Sequence, residues 1–524
     1  MNNKLGDFKK IINFETSNRG DFNNLNYDPT FKASAIFFFI CNEYIDTKIS
    51  FLNYWNIKNH NKDVSCLITL RNNLGEKIFR KFFKIKDNTY TLSLKKIIKE
   101  NTKIIKSATG TIDVEIFSSF DLKFIYPAID AIYETSHGVS LVHSNQRILN
   151  DIKDKNTNIS LNQTQTGFDI YSDKKNYSFI VAINGPLEIE NKFLSVKFYN
   201  HKGKILHKNY KYKKIKPYEV INLNLDKIKN IKNFFEGNKG FCKINLPTEN
   251  IFNRVLVGTM SRDNKKISTT HSYYDCSDVK DYVDFKKFNK KFYNCFIPFN
   301  MIENIDLDIV IYPIFSKSNL TFDLEMFNED GKHKLIKKNI LKLNKKFSNS
   351  VTININKYLK NKKKLSKNVY CLNIKSKDNK IPSRMTYGFN YKQLSFGSNI
   401  SDAMVVNHGG ISRRNKSKGF YWGPAFHNKK VSTIIALSSF EEISKKNFQN
   451  IELKIYDDKK IILKRKFKIN SKEAKNIYLE NLLKSKSEIG KIFWFTLESS
   501  LSKSLICKHV HKSKYGHIGA DHSF

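Results

Sequence analysis

The chain has 524 residues, 40% hydrophobic and 13% aromatic, with 21 Gly and 9 Pro. It is long enough for three or four packed domains and too rich in core formers for a collagenous, linker-like or disordered polymer. Its formal net charge is +42, but only ten of its 91 basic residues are Arg; readers of nucleic-acid bases draw on the guanidinium fork, so the charge implies a lysine surface with weak, non-specific attraction to polyanions.

Residues 1–30 are polar, beginning MNNKLGDFKK, and contain no apolar signal-peptide core. The densest apolar run, Ala33–Cys41, is too short to span a bilayer. The seven cysteines, Cys41, Cys66, Cys242, Cys276, Cys295, Cys371 and Cys507, are odd in number and share no metal-knuckle or redox spacing. These features together predict a soluble cytoplasmic protein with reduced thiols.

The first unit opens with a strand at Ala35–Cys41, followed by the hairpin Val64–Phe83 about Gly75. A strand at Tyr90–Leu94, a short helix over Lys95–Ile105 and a strand at Thr111–Ser118 come next, and Ser136–Arg147 closes the unit. After a polar linker, Asp151–Gly167, the order returns: Tyr177–Ile183, the Leu194–Tyr212 hairpin about Gly203, Val220–Leu225, a helix over Asp226–Phe235, Phe241–Leu246 and the closing stretch Thr269–Ser277. It returns again from about Phe292, with a hairpin at Phe322–Leu341 about Gly331, then Val351–Ile355, a helical turn at Asn356–Leu365, Val369–Ile374 and closure at Val405–Arg414. The last copy runs from Val431–Leu437 through the Ile451–Phe467 hairpin, which turns at Asp457–Asp458 without glycine. It continues through a helix-like Asn476–Leu483 and a strand at Ile492–Glu498 to the terminal GHIGADHSF.

In each hairpin apolar residues alternate, a turn able to take φ > 0 intervenes, and the alternation resumes. Gly75, Gly203 and Gly331 are equally spaced. A repeat of this length marks whole domains in tandem and not a solenoid. The sequence therefore predicts an all-β chain. Four tandem β-sandwich units follow a leader at 1–30, at 31–150, 165–280, 288–415 and 428–524. Each has about seven strands and one short crossover helix, and is immunoglobulin-like in size and strand order. That class hosts binding, structural and catalytic proteins alike.

No phosphate loop, dinucleotide fingerprint, H-E-x-x-H or G-x-S-x-G motif is present. Histidine is the residue whose placement stands out. Nine of the 13 lie in or beside the closing stretches: His137, His143, His271, His408, His427, His509, His511, His517 and His522. By chain position His137, His271, His408 and His522 correspond, each with a carboxylate near it: Glu134, Asp275, Asp402 and Asp521. Imidazole beside carboxylate suits a metal site or an oriented base. Duplication also copies a hydrogen-bonding strut, so the repetition alone does not establish a site.

If the units pack about a common centre, their closing loops line one site. Its ligand-binding candidates are His137, Arg147, His271, Tyr273, Tyr274, Asp275, His408, Arg413, Arg414, Tyr421, Trp422 and His522, with the aromatics able to stack on a sugar ring. His271, Asp275, His408 and His522 are the candidate ligands of a divalent metal; no cofactor is assured. The leading expectation is a non-enzymatic binding or scaffold protein, with carbohydrate binding of an anionic polysaccharide, or an acidic protein surface, as its partnership. A metal-dependent hydrolase or lyase acting on a sugar or polysaccharide precursor, with its His/Asp site at the junction of units, is the alternative. A charge-driven nucleic-acid binder is the third reading.

Overall fold

The structure, a computed structural model, describes residues 31–102, 107–122, 127–143, 146–148, 164–249, 251–276, 282–284, 295–316, 318–328, 332–359, 367–378, 380–382, 384–393, 396–405, 418–439, 448–483, 491–500 and 505–524. It is an all-β architecture of antiparallel sheets, and the same strand order returns along the chain. The first eight strands are Phe31–Cys41, Ile45–Leu52, Ser65–Asn72, Lys77–Lys84, Thr89–Ser93, Ala108–Ser118, Asp130–Thr135 and Val139–His143. Counted from one to eight, they form one sheet of order 1-6-3-4 and a second of order 5-2-7-8.

The strands from Cys295–Asn300 to Phe396–Val405 pair in the same two orders, as do those from Gly419–Phe426 to Ile518–His522. The strands from Gln165–Thr166 to Ile267–His271 keep the scheme with the first strand broken in two, Gln165–Thr166 and Asp169–Ile170, and with Tyr273–Tyr274 added beyond it. In every pair of sheets strand two bonds strand five and strand three bonds strand six, as in Greek-key sandwiches.

Local chemistry explains the recurrence. Each hairpin between strands three and four begins with a side-chain acceptor that folds the turn back on itself. Asn72 accepts from the amides of Leu74 and Glu76, both at 3.0 Å; Asn200 from Lys202 and Lys204 at 3.0 and 2.9 Å; Asn328 from Lys332 at 2.7 Å. Asp457 accepts from Lys459 and Lys460 at 2.8 and 2.7 Å, so the fourth hairpin turns without glycine. Gly75 and Gly203 take φ of 80° and 77°; Gly331 lies outside the described residues.

A short helix follows strand five each time: Leu94–Asn101, Leu225–Lys227 with Ile231–Phe235, Ile355–Tyr358 and Leu479–Leu482. Ser93, Asn224 and Asn354 cap the first three by accepting from Lys96, Asp226 and Lys357. The helix carries the chain from one sheet to the other, as expected. Alternation then fills the space between sheets: Leu194, Val196 and Phe198 are buried in one core, and Phe37, Phe51, Ile68 and Val114 in another.

Three details differ from the sequence reading. Each sheet pair has eight principal strands and not about seven. Gln165–Thr166, within the expected linker, pairs with Ile244 and with Tyr273–Tyr274; two residues are too few to show a period. Gly419–Phe426, ahead of the expected start of the last unit at 428, pairs along its length with Ile492–Ser499. Its Gly423 and Pro424 make it read as a loop, and Pro is tolerated there because this strand is the edge of its sheet. Among the described residues no helix is long and apolar enough to cross a membrane.

The four eighth strands hold the molecule together. Val139–His143 packs against Ile267–His271 and Ile518–His522, and Phe396–Val405 packs against those same two, closing a ring. Ser140 Oγ meets Thr269 Oγ1 at 2.9 Å and accepts from the Thr269 amide at 2.8 Å. Gly519 lies against the Val139 backbone, and Gly138 against the His517 ring.

Candidate functional site

Backbone register fixes which histidines correspond. The helix-capping position Ser93 pairs with Lys48, Lys48 with Ile132, and Ile132 with Leu141. The same steps run from Asn224 through Phe179 and Gly258 to Thr269, and from Tyr478 through Ile434 and Val510 to Ala520. Two residues further along the eighth strand, on the same face, stand His143, His271 and His522. In the third sheet pair the path runs from Asn354 through Asp308 and Asn390 to Asn399, which puts Ser401 at that position. The correspondence includes His143 and not His137.

The ring of eighth strands brings those three imidazoles together. One ring nitrogen from each lies within 4.8 Å of the others. His143 meets His271 and His522 edge-on, at centroid separations of 4.8 and 4.4 Å, and the Phe524 ring at 5.4 Å. His143 and His271 are buried and His522 is half-buried.

The hydrogen bonds set the tautomers. His143 Nδ1 donates to Asp521 Oδ2 at 2.7 Å, His271 Nδ1 to the Ser272 carbonyl at 2.9 Å, and His522 Nδ1 to the Ser523 carbonyl at 3.3 Å. Each ring thus engages an oxygen through Nδ1, the arrangement in which Nε2 is the nitrogen left for a ligand.

Burial pushes the His143 and His271 imidazoles below their ordinary range, more strongly for His271, where the Arg254 guanidinium adds to the effect. Both rings are therefore neutral at neutral pH. Burial opposes ionisation of Asp521, but the neighbouring imidazoles outweigh it and hold this carboxyl well below the usual range. Asp130, the cross-strand partner of His143, is buried and raised well above the carboxylate range by burial and by the nearby charge of Asp521. Its Oδ2 has no hydrogen-bond partner among the described residues.

The remaining predicted residues lie apart from this cluster or outside the described residues. His137 sits in the turn before the eighth strand, with its ring 4.7 Å from Tyr515. Arg147 is buried on a two-residue strand that pairs with Ile251–Phe252, its guanidinium 5.4 Å from the Phe252 ring. Tyr273 and Tyr274 extend a sheet, and Tyr273 lies 6.1 Å from His271 and 5.2 Å from the Arg254 guanidinium. Tyr421 and Trp422 belong to a strand; Trp422 is buried and stacks on Tyr54 at 4.9 Å. Asp275 pairs with Lys243 at 2.7 Å. His408, Arg413 and Arg414 lie outside the described residues. Sequence reasoning passed over His143 as a member of the set, although His143-Ser144, His271-Ser272 and His522-Ser523 are one repeated dipeptide.

Lys243 and Asp275 border a second feature, a cleft of about 350 Å³ on the outer face of the second sheet pair. Strand alternation builds it. Leu194, Val196 and Phe198 point into the core, so Ser195, Lys197 and Tyr199 point out, beside Lys243 and Asn245 of the neighbouring strand. Lys346, Phe347 and Ser348 of the third sheet pair form the opposite wall. Lys197 stands directly across the ladder from Lys243.

No protein-family model matches the sequence, and no curated protein matches it. Among solved structures, the tetra-tandem repeat in the extending region of a large adhesion protein aligns over 88% of this chain and 91% of its own, at 8% identity and a TM-score of 0.09. Bacteroides uniformis beta-glucuronidase 2, covalently bound to cyclophellitol-6-carboxylate aziridine, aligns over 47% of this chain and 26% of its own, at 10% identity and a TM-score of 0.11. A Bacteroides uniformis beta-glucuronidase gives the same coverage and identity with a TM-score of 0.09. This chain spans about a quarter of the length of those two enzymes, and at these scores it is the strand order above that describes the fold.

Proposed function

We propose that this chain is a non-enzymatic scaffold of four duplicated sandwich modules that binds an anionic glycan in the cleft between the second and third sheet pairs. The observation that carries this reading is that exposed Lys197 and Lys346 line one cleft whose only lining carboxylate among the described residues, Asp275, is taken up by Lys243. Lys197 also stands directly opposite Lys243, and like charges so placed destabilise a sheet. Asp275 neutralises Lys243, at 2.7 Å. Lys197 is exposed, and Lys346 adds another ammonium group from the facing wall. Ser195, Tyr199 and Asn245 supply hydroxyl, ring and amide groups for the neutral part of a sugar.

The adjoining edge strand, Ile205–Ile215, lengthens the basic surface. Lys211 and Lys213, on its exposed face, have no carboxylate partner among the described residues, while Tyr210 and Tyr212 turn to the other face and pack against the core. A glycan fits this arrangement better than duplex DNA, because lysine gives charge without the bidentate geometry that reads bases.

The test is a salt titration of binding to alginate and to duplex DNA, on wild type and on Lys197→Gln/Lys346→Gln. Alginate binding should survive salt that releases DNA, and the double variant should lose at least tenfold in alginate affinity. Equally steep salt dependence for both polymers, or unchanged alginate affinity in the variant, would remove the cleft from the account.

A further inference from the structure

A second site, independent of the cleft, lies in the ring of eighth strands. Three sequence-distant imidazoles meet there, and each donates Nδ1–H to an oxygen, as the second-shell partners of metal-bound histidines do. Two of the three oxygens are carbonyls of the serine that follows the histidine, and the third is a carboxylate. With Nδ1 engaged in every ring, Nε2 is the nitrogen left to bind a metal.

The surroundings point the same way. Asp130 is buried with an unpartnered carboxyl oxygen, beside the Asp521 carboxylate and across the ladder from His143. A buried carboxyl oxygen with no hydrogen-bond partner carries a desolvation cost. A divalent cation would relieve it. His522, half-buried at the end of its strand, leaves a way in.

We propose that His143, His271 and His522 form a divalent transition-metal site, with Asp521 positioning His143, and that the bound ion ties together the first, second and fourth sheet pairs. Neutral imidazole donors select zinc, copper, nickel or cobalt over magnesium and calcium. Tetrahedral coordination at about 2.0–2.1 Å sets ligand nitrogens roughly 3.4 Å apart. The present limit of 4.8 Å therefore has to contract by about 1.4 Å on binding. Ser401 at the corresponding backbone position of the third sheet pair makes this a three-histidine set.

The experiment uses the full chain without an affinity tag, titrated with Zn²⁺ by calorimetry and with Co²⁺ by visible absorption. Wild type should bind one ion per chain and give the d–d bands of low-coordinate Co²⁺ with nitrogen ligands. His522→Gln, at the half-buried ligand, should weaken binding at least tenfold while far-UV circular dichroism stays unchanged. Asp521→Asn should weaken it by about 10–100-fold, the usual loss when the partner of a metal-bound histidine is removed. His137→Gln, in the turn outside the cluster, should bind as wild type does. Absence of stoichiometric binding by wild type, or wild-type affinity in folded His522→Gln, would overturn the site. None of these variants touches the Lys197–Lys243 cleft, so alginate binding should persist in all of them. Its loss would count against the cleft and not against the metal site.

Discussion

Gly519→Ala tests whether the ring of eighth strands holds the sheet pairs together. Gly519 lies on Ile518–His522, where that strand crosses Val139–His143. A Cβ built on it falls 2.2 Å from the Val139 carbonyl oxygen, 3.1 Å from its carbon and 3.4 Å from Ser140 Cα. Ordinary contact begins near 3.4 Å, so the two strands would have to separate by more than an ångström. The obstructing atoms are main chain and cannot rotate aside. Overpacking of a core costs about 1–3 kcal/mol, and a backbone neighbour puts this case at the upper end, about 3 kcal/mol. Urea denaturation gives the loss. Hydrogen exchange locates it: amides of Val139–His143 and Ile518–His522 should exchange faster, while those of Ser65–Asn72, inside the first sandwich, should not. A change at an exposed position, Lys338→Ala, is the control. A variant as stable as wild type, with unaltered exchange in both eighth strands, would refute the claim that this crossing is tightly packed.

Two further expectations concern buried groups at the junctions between sheet pairs. Asp169 accepts from Lys239 Nζ at 2.8 Å, Tyr312 Oη at 2.9 Å and Asn390 Nδ2 at 2.9 Å, joining the second and third sheet pairs. Asp169→Ala strands two buried donors and should cost about 3 kcal/mol by denaturant unfolding; a loss under about 1 kcal/mol would mean that solvent serves those donors. Burial pushes the His517 imidazole down to about 3. Because the folded value lies below the ordinary 6.5, this group adds stability above pH 6.5 that drains away as pH falls toward 3, by at most about 1.4 kcal/mol per pH unit. His517→Gln should flatten the stability profile between pH 7 and 5 by about 2 kcal/mol in all, and an unchanged slope would show that other groups take up the protons.

The fold was legible because its signals are local. Asn72, Asn200 and Asn328 recur at equal spacing with their turns, and hairpins with alternating apolar residues need no partner to be recognised. The first strands were harder. Gln165–Thr166 is too short for a period, and Gly419–Phe426 is interrupted by Gly423 and Pro424. The histidine cluster was half legible. His271 and His522 were expected to meet, and they do. Matching histidines by their distance from the last recognised strand selected His137 in the first copy. The eighth strands form hairpins with the seventh, and their register shows that His143 is the counterpart. A sequence signal existed: Val139-Ser-Leu-Val-His-Ser, Ile267-Ser-Thr-Thr-His-Ser and Ile518-Gly-Ala-Asp-His-Ser share a β-branched start and an ending in His-Ser. The Lys197–Lys243 opposition was not legible at all, because it depends on pairing across strands more than forty residues apart.

The charge and the ring answer the same physical problem. A chain of small sandwiches has many open strand edges, and each is a template for pairing with another molecule. Here the eighth strand, one edge of its sheet, packs against other eighth strands in the interior. The fourth strand, an edge of the other sheet, faces out, and it is there that lysine concentrates: Lys77–Lys84, Ile205–Ile215, His333–Leu343 and Ile461–Asn470 each carry at least three exposed Lys or Arg residues. Charged side chains on an exposed edge oppose pairing with a second edge. Much of the +42 charge thus has a structural cause that requires no ligand. That narrows the evidence for anion binding to places where ammonium groups face one another across a wall or a ladder, as Lys197, Lys243 and Lys346 do. It also gives the ring a reason to be close-packed, the condition under which three imidazoles from separate sheet pairs can stand together and serve as ligands.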